Sequence, residues 1–144
     1  MDRLRWSTAA SRAVELALAE ARRRGHGRLE SAHLLAGLLA VPGSPQALLA
    51  EQGLGASALA AHLDAAYEGP PLLAGAAVEQ HGPEWREVVA LAQEIADAEG
   101  SFEVEPRHLL LAATEDRRWS AWRVLEAAGV APAALREAVQ ARRD

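Results

Sequence analysis

From Ser7 to Arg24 the apolar residues Ala10, Ala13, Val14, Ala17, Leu18 and Ala21 recur at helical spacing, with Arg12, Glu15, Glu20 and Arg22 on the opposite face. This predicts an amphipathic first helix with Ser7 or Thr8 as N-cap, the Arg22–Arg24 run at its negative end and Gly25 as its stop. Ser31 offers a cap for a second helix over about residues 32–40, whose Leu34, Leu35, Leu38 and Leu39 face a core. The Val41–Pro45 break leads into a short third helix with Ala47, Leu48 and Leu49, ending at Gly53. A fourth, capped by Ser57, carries Leu59 and Leu63 inward and ends near Tyr67. Residues 68–82 contain Pro-Pro and three glycines and show no period, so they read as a linker.

The plan then starts again. Pro83 opens a fifth helix carrying Trp85, Val88, Val89, Ala92, Ile95 and Ala96 up to Gly100. Pro106 opens a sixth with Leu109, Leu110 and Leu111. Trp119, Trp122, Val124 and Leu125 mark a seventh that closes at Gly129, and Pro132 begins an eighth with Leu135 and Val139 inward and Arg142 and Arg143 near its end. The stretch GHGRLESAHLLAGLL from Gly25 to Leu39 returns as GSFEVEPRHLLLAAT from Gly100, with Glu30, His33, Leu34 and Leu35 matching Glu105, His108, Leu109 and Leu110 at an offset of 75. The chain is a tandem duplication. Its expected fold is all-α, eight helices arranged as two four-helix units about a pseudo-twofold axis, in a single domain over 1–144. Repeat one spans 6–67, the linker 68–82 and repeat two 83–142.

Composition sharpens this picture. Half the residues are hydrophobic but only 4% are aromatic, and the Ala- and Leu-rich apolar set favours helix. The net charge of −5 lacks the basic surplus of a nucleic-acid footprint, and the excess acid lies entirely in residues 73–144. Cysteine and lysine are both absent, which excludes disulfides, thiol nucleophiles, Schiff-base chemistry and a P-loop lysine. No apolar run approaches a membrane span and no leader pattern opens the chain, so a soluble, cytoplasmic protein is expected.

The doubled plan, with a GH…(T/S)-x-H-L-L-x-G-L corner and an L-x-x-x-G-(L/V) close, resembles the Clp N-terminal domain, or double Clp repeat, at the front of the ClpA and ClpC unfoldases. The matching residues are Gly25-His26, Ser31, His33-Leu34-Leu35, Gly37-Leu38 and Gly53-Leu54, then Gly100, His108-Leu109-Leu110 and Gly129-Val130. The resemblance implies a mobile docking module that receives substrates and adaptors for an attached ATPase ring. Both an N-domain of a longer protein and a free-standing Clp-repeat protein fit. ClpC-type domains can bind phosphoarginine through a Glu just before each corner His, and those positions are Ala32 and Arg107 here. Loss of both carboxylates predicts no phosphoarginine binding of that kind. Where the family has a Gly-rich acidic loop, this chain has VPGSP and EDRRW. Trp119 stands where the family has Gly and Trp122 where it has Ala.

Candidate chemistry is sparse. Gly25, Ser31, His33, Gly100 and His108 are expected to be structural, with the two histidines hydrogen-bonded at the corners. The five histidines are scattered, so no metal or cofactor is expected, and no nucleophile–base constellation points to catalysis. Four Trp against one Phe and one Tyr is the notable count, because Trp is enriched at binding hot spots. Trp85, Arg118, Trp119 and Trp122 are the candidate protein-binding residues. The alternative places Trp6, Trp85 and Trp122 in the core and leaves Trp119 partly exposed. The expected function is a non-enzymatic interaction module, monomeric in isolation, for protein clients, adaptors or Clp ATPase and protease subunits. Competing readings are a helical nucleic-acid-binding regulator using the Arg clusters, a scavenger of ligands that target Clp N-domains, and a helical enzyme.

Overall fold

Ser7 folds its Oγ back to accept the Ala10 N–H at 3.0 Å, and this N-cap starts the first helix, α1 (Thr8–Arg23). The computed structural model describes residues 5–142, so Arg143 lies outside the described residues. Repeat one continues with α2 (Ser31–Ala40), α3 (Ser44–Glu51) and α4 (Ala56–Ala66). Repeat two supplies α5 (Pro83–Ala98), α6 (Pro106–Ala113), α7 (Ser120–Ala127) and α8 (Pro132–Ala141). The all-α reading with eight helices holds among the described residues. Gly25 and Gly100 end α1 and α5 at φ of 72° and 73°, a conformation that a Cβ would strain. Trp119, expected inside the seventh helix, is instead its N-cap.

One core serves both repeats. Leu34, Leu35, Leu109 and Leu110 are fully buried, and α2 packs against α1, α3, α4, α5, α6 and α7. A helix apolar on nearly all sides belongs in such a central position. The crossing of α1 and α2 is very close, because a Cβ on Gly37 would lie 2.0 Å from the Ala13 carbonyl oxygen. Only hydrogen fits there. The facing residues of α1, Ala10, Ala13, Ala17 and Ala21, are small and fully buried.

Helical periodicity did not reveal how the halves are tied. Two short strands, β1 (Arg5–Trp6) and β2 (Glu103–Val104), pair in parallel, with Arg5 opposite Glu103 and Trp6 opposite Val104. Reciprocally, Glu79, just before α5, forms a parallel bridge with Arg28, just before α2. Each repeat therefore sends the residues ahead of its first helix to the corner of the other, as a pseudo-twofold requires. The 68–82 segment is also no slack tether. Gly27 N–H donates to Pro70 O and Leu72 N–H to Gly25 O, both at 2.8 Å, strapping it across the first corner.

Candidate functional site

The first corner holds a chain of polar groups that begins at a backbone donor. Glu30 N–H donates to His33 Nδ1 at 2.9 Å, so His33 is neutral and carries its proton on Nε2. That nitrogen lies 2.8 Å from His26 Nδ1, which must accept, and His26 Nε2 then carries the proton that faces Asp64 Oδ1 at 2.9 Å. Tyr67 stacks on His26 with ring centroids 3.9 Å apart, takes the Arg28 N–H at 3.0 Å and donates to Pro70 O. The relay thus ties α2, α4 and the strap to one corner. Burial pushes His33 down to about 4, with His26 and Arg24 adding to the effect. Burial likewise lowers His26, against the pull of Asp64. Glu30, 4% exposed, is raised by burial although Arg28 pairs with one of its oxygens.

The second corner uses the same first step and a different second one. Glu105 N–H donates to His108 Nδ1 at 2.9 Å, but His108 Nε2 meets Glu99 Oε1 at 3.0 Å. Ser101 stands where repeat one has His26, and Glu99 where it has Arg24. Arg107 also pairs with Glu99. Burial alone would raise the Glu99 carboxyl, but the hydrogen bonds from Arg107 and His108 hold it below the ordinary value.

At the seam, the N-termini of α2 and α7 meet head to head. Ala121 N–H donates to Ser31 Oγ at 2.9 Å and Ala32 N–H to Ser120 Oγ at 3.1 Å, a reciprocal cap between repeats. The Glu84 carboxylate sits over both ends, taking the Ser31 N–H, the Ser120 N–H at 3.1 Å and the Ser120 hydroxyl at 2.9 Å. Two helix dipoles pointing at one place favour an anion, and the chain supplies its own. Beside it runs a groove of about 370 Å³ whose walls include Arg28, Glu30, Glu84, Trp85, Trp119 and Arg123.

This doubled architecture, with strands exchanged between repeats and a histidine-capped corner in each, matches known proteins along its length. The family model of the Clp repeat (R) N-terminal domain matches residues 5–79 and again 82–143. The chain belongs to the Clp repeat N-terminal domain family. The N-terminal domain of the caseinolytic protease associated chaperone ClpD from Arabidopsis thaliana superposes with a TM-score of 0.74 at 22% identity, covering 96% of this chain and 94% of that one. The Hsp104 N-terminal domain from Candida albicans gives a TM-score of 0.75 at 17% identity, over 94% of this chain and 89% of that one. No curated protein sequence matches the chain.

Within this Clp N-terminal fold the aromatic candidates separate. Trp85 is 4% exposed and Trp119 9%, so both belong to the core, and both also line the seam groove. This corrects the expectation of a partly exposed Trp119, and the reason is local. The Ser31–Ser120 cap pins the start of α7 to the seam and carries the preceding residue inward. Trp6 and Trp122 are half-buried. Arg118 is exposed, and its hydrogen bonds hold the Asp116 carboxyl down to about 2. Arg118 and Trp122 share an open polar hollow with Glu115, Asp116, Arg117 and Glu126, and Arg118 also lines the seam groove together with Trp85 and Trp119.

Gly25, Ser31, His33, Gly100 and His108 all sit at the corners or the seam. Asp64, Tyr67, Glu84, Glu99 and Ser120 complete those sites and were not singled out from sequence. The only signal for any of them was the duplication offset, which aligns Glu99 with Arg24. Among the described residues no three His, Asp or Glu side chains converge as metal ligands, and no single helix is long and apolar enough to cross a membrane.

Proposed function

We propose that this Clp N-terminal domain is a docking module of the Clp unfoldase and protease system, acting in the cytoplasm as a monomer when isolated. It holds protein clients, adaptors or Clp ATPase and protease subunits and makes or breaks no covalent bond. The observation that carries this reading is the seam groove, lined by both repeats, with cations and carboxylates arranged along its walls. Charged groups along a concave surface fix the register of a bound polypeptide. The exposed guanidinium of Arg118 and the half-buried Trp122 extend the same face.

The polar clusters support binding over catalysis. The two corner histidines are committed through Nδ1 to backbone N–H groups, and Glu84 is committed to two helix ends. The test is affinity capture from the native host with wild-type protein and with Arg118→Glu/Trp122→Ala. Recovery of Clp subunits or of a defined client set by the wild type, reduced in the variant, is the expected result. Equal recovery by both, or none by either, would overturn the reading.

A further inference from the structure

We infer that the second corner carries a docking surface built on Phe102, whose partner is a basic amphipathic segment of another protein. This goes beyond the seam, because none of the residues involved lines the seam groove or the hollow beside Arg118. Phe102 is 92% exposed and is the one phenylalanine in the chain. The backbone on either side of it is pinned. Gly100 N–H donates to Asp97 O and Ser101 N–H to Ala96 O, both at 3.0 Å, and Ser101 Oγ donates to Glu103 O at 2.7 Å. Val104 is fully buried where it pairs with Trp6. An apolar ring held out on a fixed backbone loses little freedom when a partner covers it.

The duplication supplies an internal control. Repeat one has Gly27 where repeat two has Phe102. The strap covers that corner, and a Cβ on Gly27 would lie 2.6 Å from Pro71 O. One repeat closes this place with its own chain, while the other sets there an aromatic ring that no described residue covers. The neighbours change as well. Ala19, Arg22 and Arg28 of repeat one correspond to Glu94, Asp97 and Glu103 of repeat two.

Charge decides what the partner brings. Residues 94–107 carry five carboxylates and one guanidinium, and that guanidinium, Arg107, is paired with Glu99. Glu94, Asp97 and Glu103 are exposed and make no ion pair among the described residues. Arg5, opposite Glu103 across the strand pair, is the one cation that β1 adds. The C-terminus of α5 brings the negative end of its dipole to the same place, and its last turn holds no base to offset it. An apolar ring among uncompensated carboxylates is complementary to a segment with one apolar and one cationic face, and it repels an acidic one.

The test is an NMR titration of the isotope-labelled protein with the peptide Leu-Arg-Arg-Leu-Leu-Arg-Arg-Leu, whose leucines share one helical face. Leu-Glu-Glu-Leu-Leu-Glu-Glu-Leu and Ala-Arg-Arg-Ala-Ala-Arg-Arg-Ala are the controls for charge and for the apolar face. The first peptide should give saturable shifts centred on residues 97–103 and bind at least about tenfold more tightly than either control. Phe102→Ala should weaken it by about tenfold or more with an unchanged melting temperature. Asp97→Arg/Glu103→Arg should remove its advantage over the glutamate peptide. No saturable shift, equal binding of the arginine and glutamate peptides, or binding undiminished by Phe102→Ala would each overturn the assignment. Shifts confined to the seam groove would overturn it too while leaving the docking reading in place, and capture through Arg118 and Trp122 tests that reading separately.

Discussion

Acidification should loosen the first corner, and its size follows from the geometry of His33. The ring is 1% exposed, its Nδ1 is held by the Glu30 N–H, and its Nε2 faces a second imidazole, so the folded state has no place for an additional proton. Its ordinary value is 6.5 and in place it lies at about 4. At ~1.36 kcal/mol per pH unit the gap is worth about 3 kcal/mol. The folded value is the lower one, so the unfolded chain takes up the proton first. The stability is fully present above pH 6.5 and is lost as pH falls towards 4, about 2 kcal/mol of it between roughly pH 7.5 and 5. His26, also lowered by burial, acts in the same direction. Glu30, raised by burial, acts oppositely at the acid end, so a variant must isolate the histidine. His33→Asn suits this purpose, since Asn Oδ1 can still accept the Glu30 N–H but does not titrate. Urea unfolding of both proteins at a series of pH values is the assay. The wild type should lose about 2 kcal/mol more than His33→Asn over that window, or about 4–8 °C in melting temperature. Parallel stability curves for the two proteins would refute the relay.

Gly37→Ala should destabilise by about 2 kcal/mol, because overpacking near the upper end of ~1–3 kcal/mol outweighs the ~1 kcal/mol that alanine gains in helix propensity. A thermal melt at or above that of the wild type would show that α1 and α2 are not as close as 2.0 Å to an added Cβ implies. Glu84→Gln, which weakens the shared cap of α2 and α7, should cost about 1–2 kcal/mol, read as a lower urea midpoint with unchanged slope. Calorimetry with free phosphoarginine should give no saturable heat, since Ala32 has no carboxylate and Arg107 presents a cation already paired with Glu99. Specific micromolar uptake would contradict that.

The sequence by itself determined the helices, their stops and the duplication, because these depend on residues three or four apart and on glycines that free the backbone locally. His33 and His108 were legible as corner groups for the same reason, each capping a residue three positions away. The tertiary structure decided what spans the repeats. Glu84 reaches Ser31 across 53 positions and Ser120 across 36, and Ser31 meets Ala121 across 90, with nothing in a helical period to announce them. The burial of Trp85 and Trp119, the strap over the first corner and the strand exchange follow from how two units close on each other. Local spacing fixes which face of a helix is apolar, while packing chooses what covers that face and what is left for a partner.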